Sequence, residues 1–238
     1  MWGERGRGAP AWPPPIQDNL VYALDFRSKQ FLTLGGAAGN EILSVQPRVG
    51  SVSWTSQGAG DPTTPTWDVS NLAVFDEADD YLTGSGTVAT SGDNYTLYRL
   101  LSINTGKGGM FASTLANNDY DTSNVGGEVR NRAGGVNSML VDAPYGAVPW
   151  TENAWHVQTI GYDESVGRMY GAEDGTVTCI DLVVPANNTF SFNRLGDYAG
   201  VPGTYVGYKV ALFLVYDNIM HSAPQMSSVA TWMAENRS

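Results

Sequence analysis

With two histidines and one cysteine against 24 acidic residues, any acid–base chemistry in this chain must come mainly from carboxylates. Retaining glycoside hydrolysis, for example, needs two carboxyl groups about 5–5.5 Å apart, commonly placed by alternation along one strand. A Glu-x-Asp-x-x-Glu run would supply such a pair. The nearest approach is Glu77-Ala78-Asp79-Asp80-Tyr81-Leu82, which lacks the second glutamate and reads as a turn. Neither His156 nor His221 has a serine and an aspartate at a spacing that suggests a nucleophilic triad. His156 reads as a strand residue beside Trp155. Cys179 lies in the alternating run 176–180, where a small buried hydrophobe is the simpler role. No catalytic residue is assigned, and the chain is expected not to be an enzyme.

Two binding chemistries remain. In "NNDYDTSN", Asp119-x-Asp121-x-Ser123 has the oxygen-rich spacing that opens a calcium loop, without the later glutamate that completes an EF-hand. A solvated polar turn is the competing interpretation, as it is for Asp79 and Asp80. Sugar recognition would use aromatic rings against pyranose faces, with Asn, Asp and Gly supplying hydrogen bonds. The candidate rings are Tyr120, Tyr145 and Trp150 (the latter two in "APYGAVPW"), and Tyr198 and Tyr205 in "GDYAGVPGTY". Local packing is the ordinary role of each ring alone.

The elements that must position these residues read as strands. The 238 residues carry 28 glycines and 12 prolines, which punctuate short apolar runs at 20–26, 31–34, 51–55, 72–75, 81–82, 95–103 and 109–114. Further runs fall at 125–131, 136–141, 155–162, 168–172, 176–184, 189–194 and 208–216. Strand-like spacing without helical period predicts an all-β sandwich or barrel. The C-terminus breaks the pattern. Ser222 and Gln225 form a capping box with Pro224 in the first turn, and Met226, Val229, Ala230 and Met233 make one apolar stripe. A helix of roughly three turns is predicted there.

Residues 1–19 form an extended Pro/Gly-rich arm, separate from a domain at 20–238. Trp2 and Trp12 are set in the arm as partner anchors, with Arg5 and Arg7 as charged contacts. The formal net charge of −11 repels phosphate backbones, so nucleic acid is not expected as a partner. No apolar signal core and no run of membrane-spanning length is seen, which predicts synthesis in the cytoplasm and no membrane insertion. On that ground the sequons at Asn94 and Asn187 are read as accidental.

"WHVQTIGYDESVGRMYGAEDG", a hairpin by its alternation and turns, resembles the central hairpin of the concanavalin A-like lectin/glucanase superfamily, in its laminin-G and pentraxin-like branch. "LAVFDEADDYL" is similar to that family's strand ending Phe-Asp, with Glu77 where glycine is usual. "FSFNRLGDYAG" and "YVGYKVALFLVYDNIMHSAPQMSSVATWM" resemble its closing strands and final helix, so the likeness covers roughly 20–236. It implies an antiparallel jelly roll, with calcium as the usual ion and no other cofactor. One continuous core containing Trp155, Val157, Phe75 and Phe213 is expected. "DNLVYALDFRSKQFLTLGG" also resembles the start of bacteriophage structural proteins with this fold. That resemblance implies a fibre, spike or capsid decoration on a virion surface, joined to other virion subunits by the arm and meeting host surface glycans through the jelly roll. A homo-oligomer stays open. The alternatives are a free carbohydrate-binding module and, third, a glycoside hydrolase.

Overall fold

The computed structural model describes residues 12–68, 70, 72–76, 80–90, 94–103, 106–112, 120–125, 128–133, 143–144, 154–183, 191–196 and 208–237. Its strands are β1 (Leu20–Asp25), β2 (Leu32–Gly35), β3 (Glu41–Val45), β4 (Trp54–Thr55), β5 (Thr66–Asp68), β6 (Leu72–Phe75), β7 (Leu82–Ala89), β8 (Asn94–Ile103) and β9 (Gly106–Ala112). They continue as β10 (Tyr120–Val125), β11 (Glu128–Ala133), β12 (Ala143–Pro144), β13 (His156–Asp163), β14 (Arg168–Glu173), β15 (Thr176–Val183), β16 (Ser191–Leu195) and β17 (Tyr208–Asp217). One helix, α1 (Ala223–Glu235), follows.

Every strand pairing is antiparallel, and the strands form two facing layers. In the first, β1 and β6 pair with one edge of β17, and β8, β13, β14 and β15 follow on the other. In the second, β2, β3, β4, β7, β16, β9, β10, β11 and β12 succeed one another. Strand β5 joins the layers by pairing with both β6 and β3. The fold is an all-β jelly-roll sandwich with one short C-terminal helix, as the strand pattern predicts.

The first layer is buried on both faces, because successive side chains of a strand point to opposite sides. Tyr208, Val210, Phe213 and Val215 of β17 join Tyr95, Leu97 and Leu101 of β8 in the inner core between the layers. Leu212, Leu214 and Tyr216 join Tyr98 and Leu100 in an outer core beneath α1. The inner core is aromatic: Trp54 stacks on Phe192 at 5.4 Å, and Phe75 stacks on Tyr208 at 4.7 Å. The outer core receives the helix stripe, Met226, Val229, Ala230 and Met233, all buried. Fully burying side chains such as Met and Val is worth about 1.5–3 kcal/mol each, enough to hold a helix too short to persist alone. Ser222 precedes the helix, and its backbone N–H donates to Gln225 Oε1 at 2.8 Å.

Two expectations need correction. Phe75 and Phe213 belong to the inner core, whereas Val157 lies in the outer one and Trp155 is only half-buried against it. A single continuous core fails because α1 covers the far side of the first layer. Trp12, expected to reach a partner, packs on its own chain: its ring meets Trp232 edge-on at 6.2 Å, and Arg48 lies 4.2 Å above it. Ile16 follows it against the outer core and accepts a 2.8 Å hydrogen bond from the Tyr216 hydroxyl on its carbonyl. Trp2, Arg5 and Arg7 lie outside the described residues.

Candidate functional site

The hairpin at the centre of the sequence pattern forms as expected, with Gln158 opposite Glu173 and Asp163 opposite Arg168. Asp163 starts its turn by accepting from the Ser165 N–H at 3.0 Å and the Ser165 hydroxyl at 2.6 Å. Asn94 Oδ1 accepts from the Glu164 N–H, so this sequon side chain is committed to the same turn. The next turn closes at Asp174-Gly175, both at positive φ. Asp174 Oδ2 lies 2.8 Å from His156 Nδ1, and Asp174 Oδ1 accepts from the Val157 N–H at 2.8 Å. This carboxylate therefore binds the start of β13 to the end of β14. Burial raises the Asp174 pKa, but hydrogen bonds from His156 and Val157 outweigh it, and the carboxyl ends below its ordinary value. The Trp-His opening and Asp-Gly close of the motif are thus two halves of one clamp.

A second polar group sits between the layers. Arg99 and Gln158, 2% and 0% exposed, are neighbours on β8 and β13, and Arg99 Nη2 donates to Gln158 Oε1. Tyr208 is close to both Asp80 and Arg99. Burial drives its hydroxyl pKa well up, Asp80 raises it further, and Arg99 opposes them. Asp80 is itself buried and accepts from the Asp76 N–H at 2.7 Å, which closes the turn after β6. Gly196, at φ 93°, passes so near the Asp80 carbonyl and the Phe75 ring that a Cβ there would collide with both. Phe75, Asp80 and Gly196 therefore meet at one end of the inner core. Asp80 acts there as a turn lock; Glu77 and Asp79 lie outside the described residues.

A third group joins the ends of the domain. Asp25, fully buried, accepts from Arg27 Nε and Nη2 at 2.8 Å each and from Arg48 Nη1 at 2.5 Å. Burial alone would raise the Asp25 pKa, yet the two guanidinium groups bring it below the ordinary value. Arg27 Nη1 donates to the Asn236 carbonyl at 2.7 Å, so the same cluster caps the C-terminal end of α1.

Of the proposed sugar-stacking residues, only Tyr120 is among the described residues. Tyr145, Trp150, Tyr198 and Tyr205 lie outside them, as does Asp119. Tyr120, Asp121 and Ser123 fall on β10, paired on both sides by β9 and β11. No group of three or more His, Cys, Asp or Glu side chains suited to a metal ion occurs among the described residues. Among them, no helix is long and apolar enough to cross a membrane. The residues that sequence reasoning missed are Arg99, Asp25, Arg27 and Arg48. A buried arginine in an apolar strand such as "YTLYRLLSI" was the available signal for the first.

No family model and no curated protein matches this sequence. Solved structures do match in shape. The binding domain of botulinum neurotoxin serotype G superposes with a TM-score of 0.59 at 11% identity, over 90% of this chain and 51% of that one. The ligand-binding domain of serotype D, solved with N-acetylneuraminic acid, gives 0.58 at 11% identity over the same shares. A Trypanosoma rangeli sialidase gives 0.61 at 11% identity, over 97% of this chain and 37% of that one. The chain thus spans about half the length of the toxin domains and about a third of the sialidase. At such identities the likeness is one of fold alone, an antiparallel jelly-roll sandwich.

Proposed function

We propose that this chain is a non-enzymatic, lectin-like display domain of a virion surface, most simply a phage fibre, spike or decoration, which presents a glycan-binding surface to the host. The observation that carries this reading is the contact of Trp12 with Trp232. It brings the N-terminal segment and the end of α1 to one face of the sandwich, over the outer core. A domain held by that face directs the outer side of its second layer away from the particle. Residues before Trp12 are then the attachment element, and Trp12 belongs to the anchored fold.

The N-acetylneuraminic acid bound in the serotype D structure supports a sugar as the displayed domain's target. The described carboxylates support a binding role over hydrolysis, since Asp25, Asp80 and Asp174 each hold backbone or arginine groups in place. Two assays test the proposal. Deleting residues 1–11 should leave a folded domain that still binds glycans on an array yet no longer enters particles. Normal incorporation of the truncated chain would overturn the attachment role, and glycan binding without particle association would favour a free carbohydrate-binding module. Reducing sugar released from a glycan panel, and abolished by Glu77→Gln or Asp79→Asn, would restore the hydrolase.

A further inference from the structure

The connector between β17 and α1 is pinned to the sheet at a buried histidine. Thr96 of β8, fully buried, donates from its hydroxyl to the Ile219 carbonyl at 3.0 Å and accepts from the His221 N–H at 2.9 Å. The His221 ring then lies between Tyr98 and Tyr216, at 5.7 and 4.5 Å, with Nδ1 2.6 Å from the Tyr98 hydroxyl. Its Nε2 is buried as well and meets no hydrogen-bond partner among the described residues. Tyr216 in turn reaches the N-terminal segment, its hydroxyl donating to the Ile16 carbonyl at 2.8 Å. The Asp217 N–H donates to the Asn19 carbonyl at 3.0 Å, close by on the same segment. One ring therefore touches the start of α1 and also the tyrosine that holds residues 12–19 against the outer core.

We propose that His221 is an acid-operated latch: its protonation undocks the first turn of α1 and, through Tyr216, loosens residues 12–19, which lead to the N-terminus. Three features oppose a charged imidazole in the closed state. The ring is fully buried, away from the water that would solvate the charge. It directly precedes the N-cap Ser222, at the helix end where the peptide dipoles gather partial positive charge. No carboxylate answers it among the groups packed around it. Burial keeps the Tyr98 and Tyr216 hydroxyls neutral, the first turn of α1 carries no acidic residue, and Asp217 accepts from Asn218 Nδ2 at the surface. Once charged, both ring nitrogens are donors. The Tyr98 oxygen can accept from Nδ1, but Nε2 faces no acceptor among the described residues. Turning the ring into water relieves all three features, and that requires residues 219–222 to lift from Thr96. Burial holds the His221 pKa at about 4 in the closed state against 6.5 in water. The open state therefore takes up the proton first, and the closed state loses ground as pH falls from 6.5 towards 4. The only other histidine, His156, sits beside Asp174 at the start of β13, away from this connector.

The test is amide hydrogen exchange on the full chain at about pH 7.5 and about pH 5, each rate taken relative to an unfolded peptide at the same pH. Two pairs of amides report the two segments. The His221 and Met226 N–H groups donate to Thr96 Oγ1 and the Ser222 carbonyl at the start of α1. The Leu20 and Asp217 N–H groups donate to the Gln17 and Asn19 carbonyls of the N-terminal segment. Protection of all four should fall by roughly tenfold or more in acid, while β4 and β16 keep theirs. His221→Gln keeps a polar side chain that does not titrate, and should abolish the acid response of both pairs. Tyr216→Phe removes the bond to Ile16, so Leu20 and Asp217 should exchange faster at both pH values while His221 and Met226 still respond. Equal protection at the two pH values, a loss shared evenly by β4 and β16, or an acid response that survives His221→Gln overturns the latch. A response of α1 in the parent without one at Leu20 and Asp217 also overturns it. If His221→Gln does not fold, the parent and Tyr216→Phe still decide the outcome. Neither a glycan nor a particle enters these measurements, so their failure leaves the lectin-like reading as it stood.

Discussion

The two faces of the first layer are built from the same strands but held by different forces. On the inner side, Trp54, Phe192 and Phe213 form a chain of ring contacts at 5.4 and 5.3 Å. Trp54 is met there by neutral polar atoms, its Nε1 donating to the Tyr22 hydroxyl at 2.6 Å, which donates to the Val52 carbonyl, while Arg99 and Asp80 are the buried ionisable groups of that side. On the outer side, packing under α1 is combined with ionisable groups: the Asp25–Arg27–Arg48 cluster, and His221 between Tyr98 and Tyr216. The stacked rings around Trp54 are therefore expected to respond to lost volume, and the Asp25 cluster and His221 on the outer side to lost charge and to acid.

Volume loss should give the largest effect. Trp54 is fully buried, and Trp54→Ala should cost about 3–5 kcal/mol, measured as a shift in denaturant midpoint. A cost below ~1 kcal/mol would mean that the inner core is not the stabilising one. Charge loss comes next. Asp25→Asn leaves the buried Arg27 guanidinium without its carboxylate, a change expected to cost about 3 kcal/mol. The value sits near the lower end for buried pairs because Arg48 is 18% exposed at its side chain and can turn towards water. Asp25→Asn should also loosen Trp12 and the end of α1, seen as faster amide exchange in both segments and unchanged exchange in β4 and β16.

How legible this contrast was in the sequence depends on range. "VALFLVY" (210–216) is an uninterrupted apolar run, and such a run is the mark of a strand buried on both faces. The helix stripe, its capping box and the β13–β14 hairpin are local patterns and were readable as such. Asp25 and Arg48 are 23 residues apart, and no local pattern joins them. Composition reads "NNDYDTSN" as a polar turn, whereas Tyr120–Val125 form a strand paired on both sides.

Acid should separate the faces further. His221 is fully buried; its Nδ1 lies 2.6 Å from the Tyr98 hydroxyl and its backbone N–H donates to Thr96 Oγ1. Burial pulls its pKa from 6.5 down to about 4. The unfolded chain then binds more protons than the folded one between those values, so stability falls as pH drops through that window and levels off below about 4. The facing ionisable groups are Tyr98 and Tyr216, both neutral there because burial pushes their hydroxyls up. Asp25 adds a later loss: its pKa is held below 3.8, so its contribution is full above that value and disappears only as pH falls further. His221→Gln should flatten the first step and leave the second. An unchanged first step in thermal unfolding against pH would remove His221 from this account.

The smallest expected effect tests whether α1 is held by its stripe or by its cap. The Ser222 hydroxyl lies 2.9 Å from Gln225 Oε1, and the Ser222 N–H donates to the same oxygen. Ser222→Ala removes the hydroxyl and keeps the backbone donor, so the loss should be about 0.5–1 kcal/mol, near the lower end for an N-cap. Met226, Val229 and Met233 remain buried in either case and should keep the helix docked. Circular dichroism should therefore show unchanged helix, with faster amide exchange confined to the first turn. His221 sits immediately before the cap, so the variant also asks whether the cap fixes that ring. If Ser222→Ala moves the acid transition as far as His221→Gln does, the cap and the histidine act as one unit. If the transition stays where it is, the buried ring alone sets the pH response of the outer face.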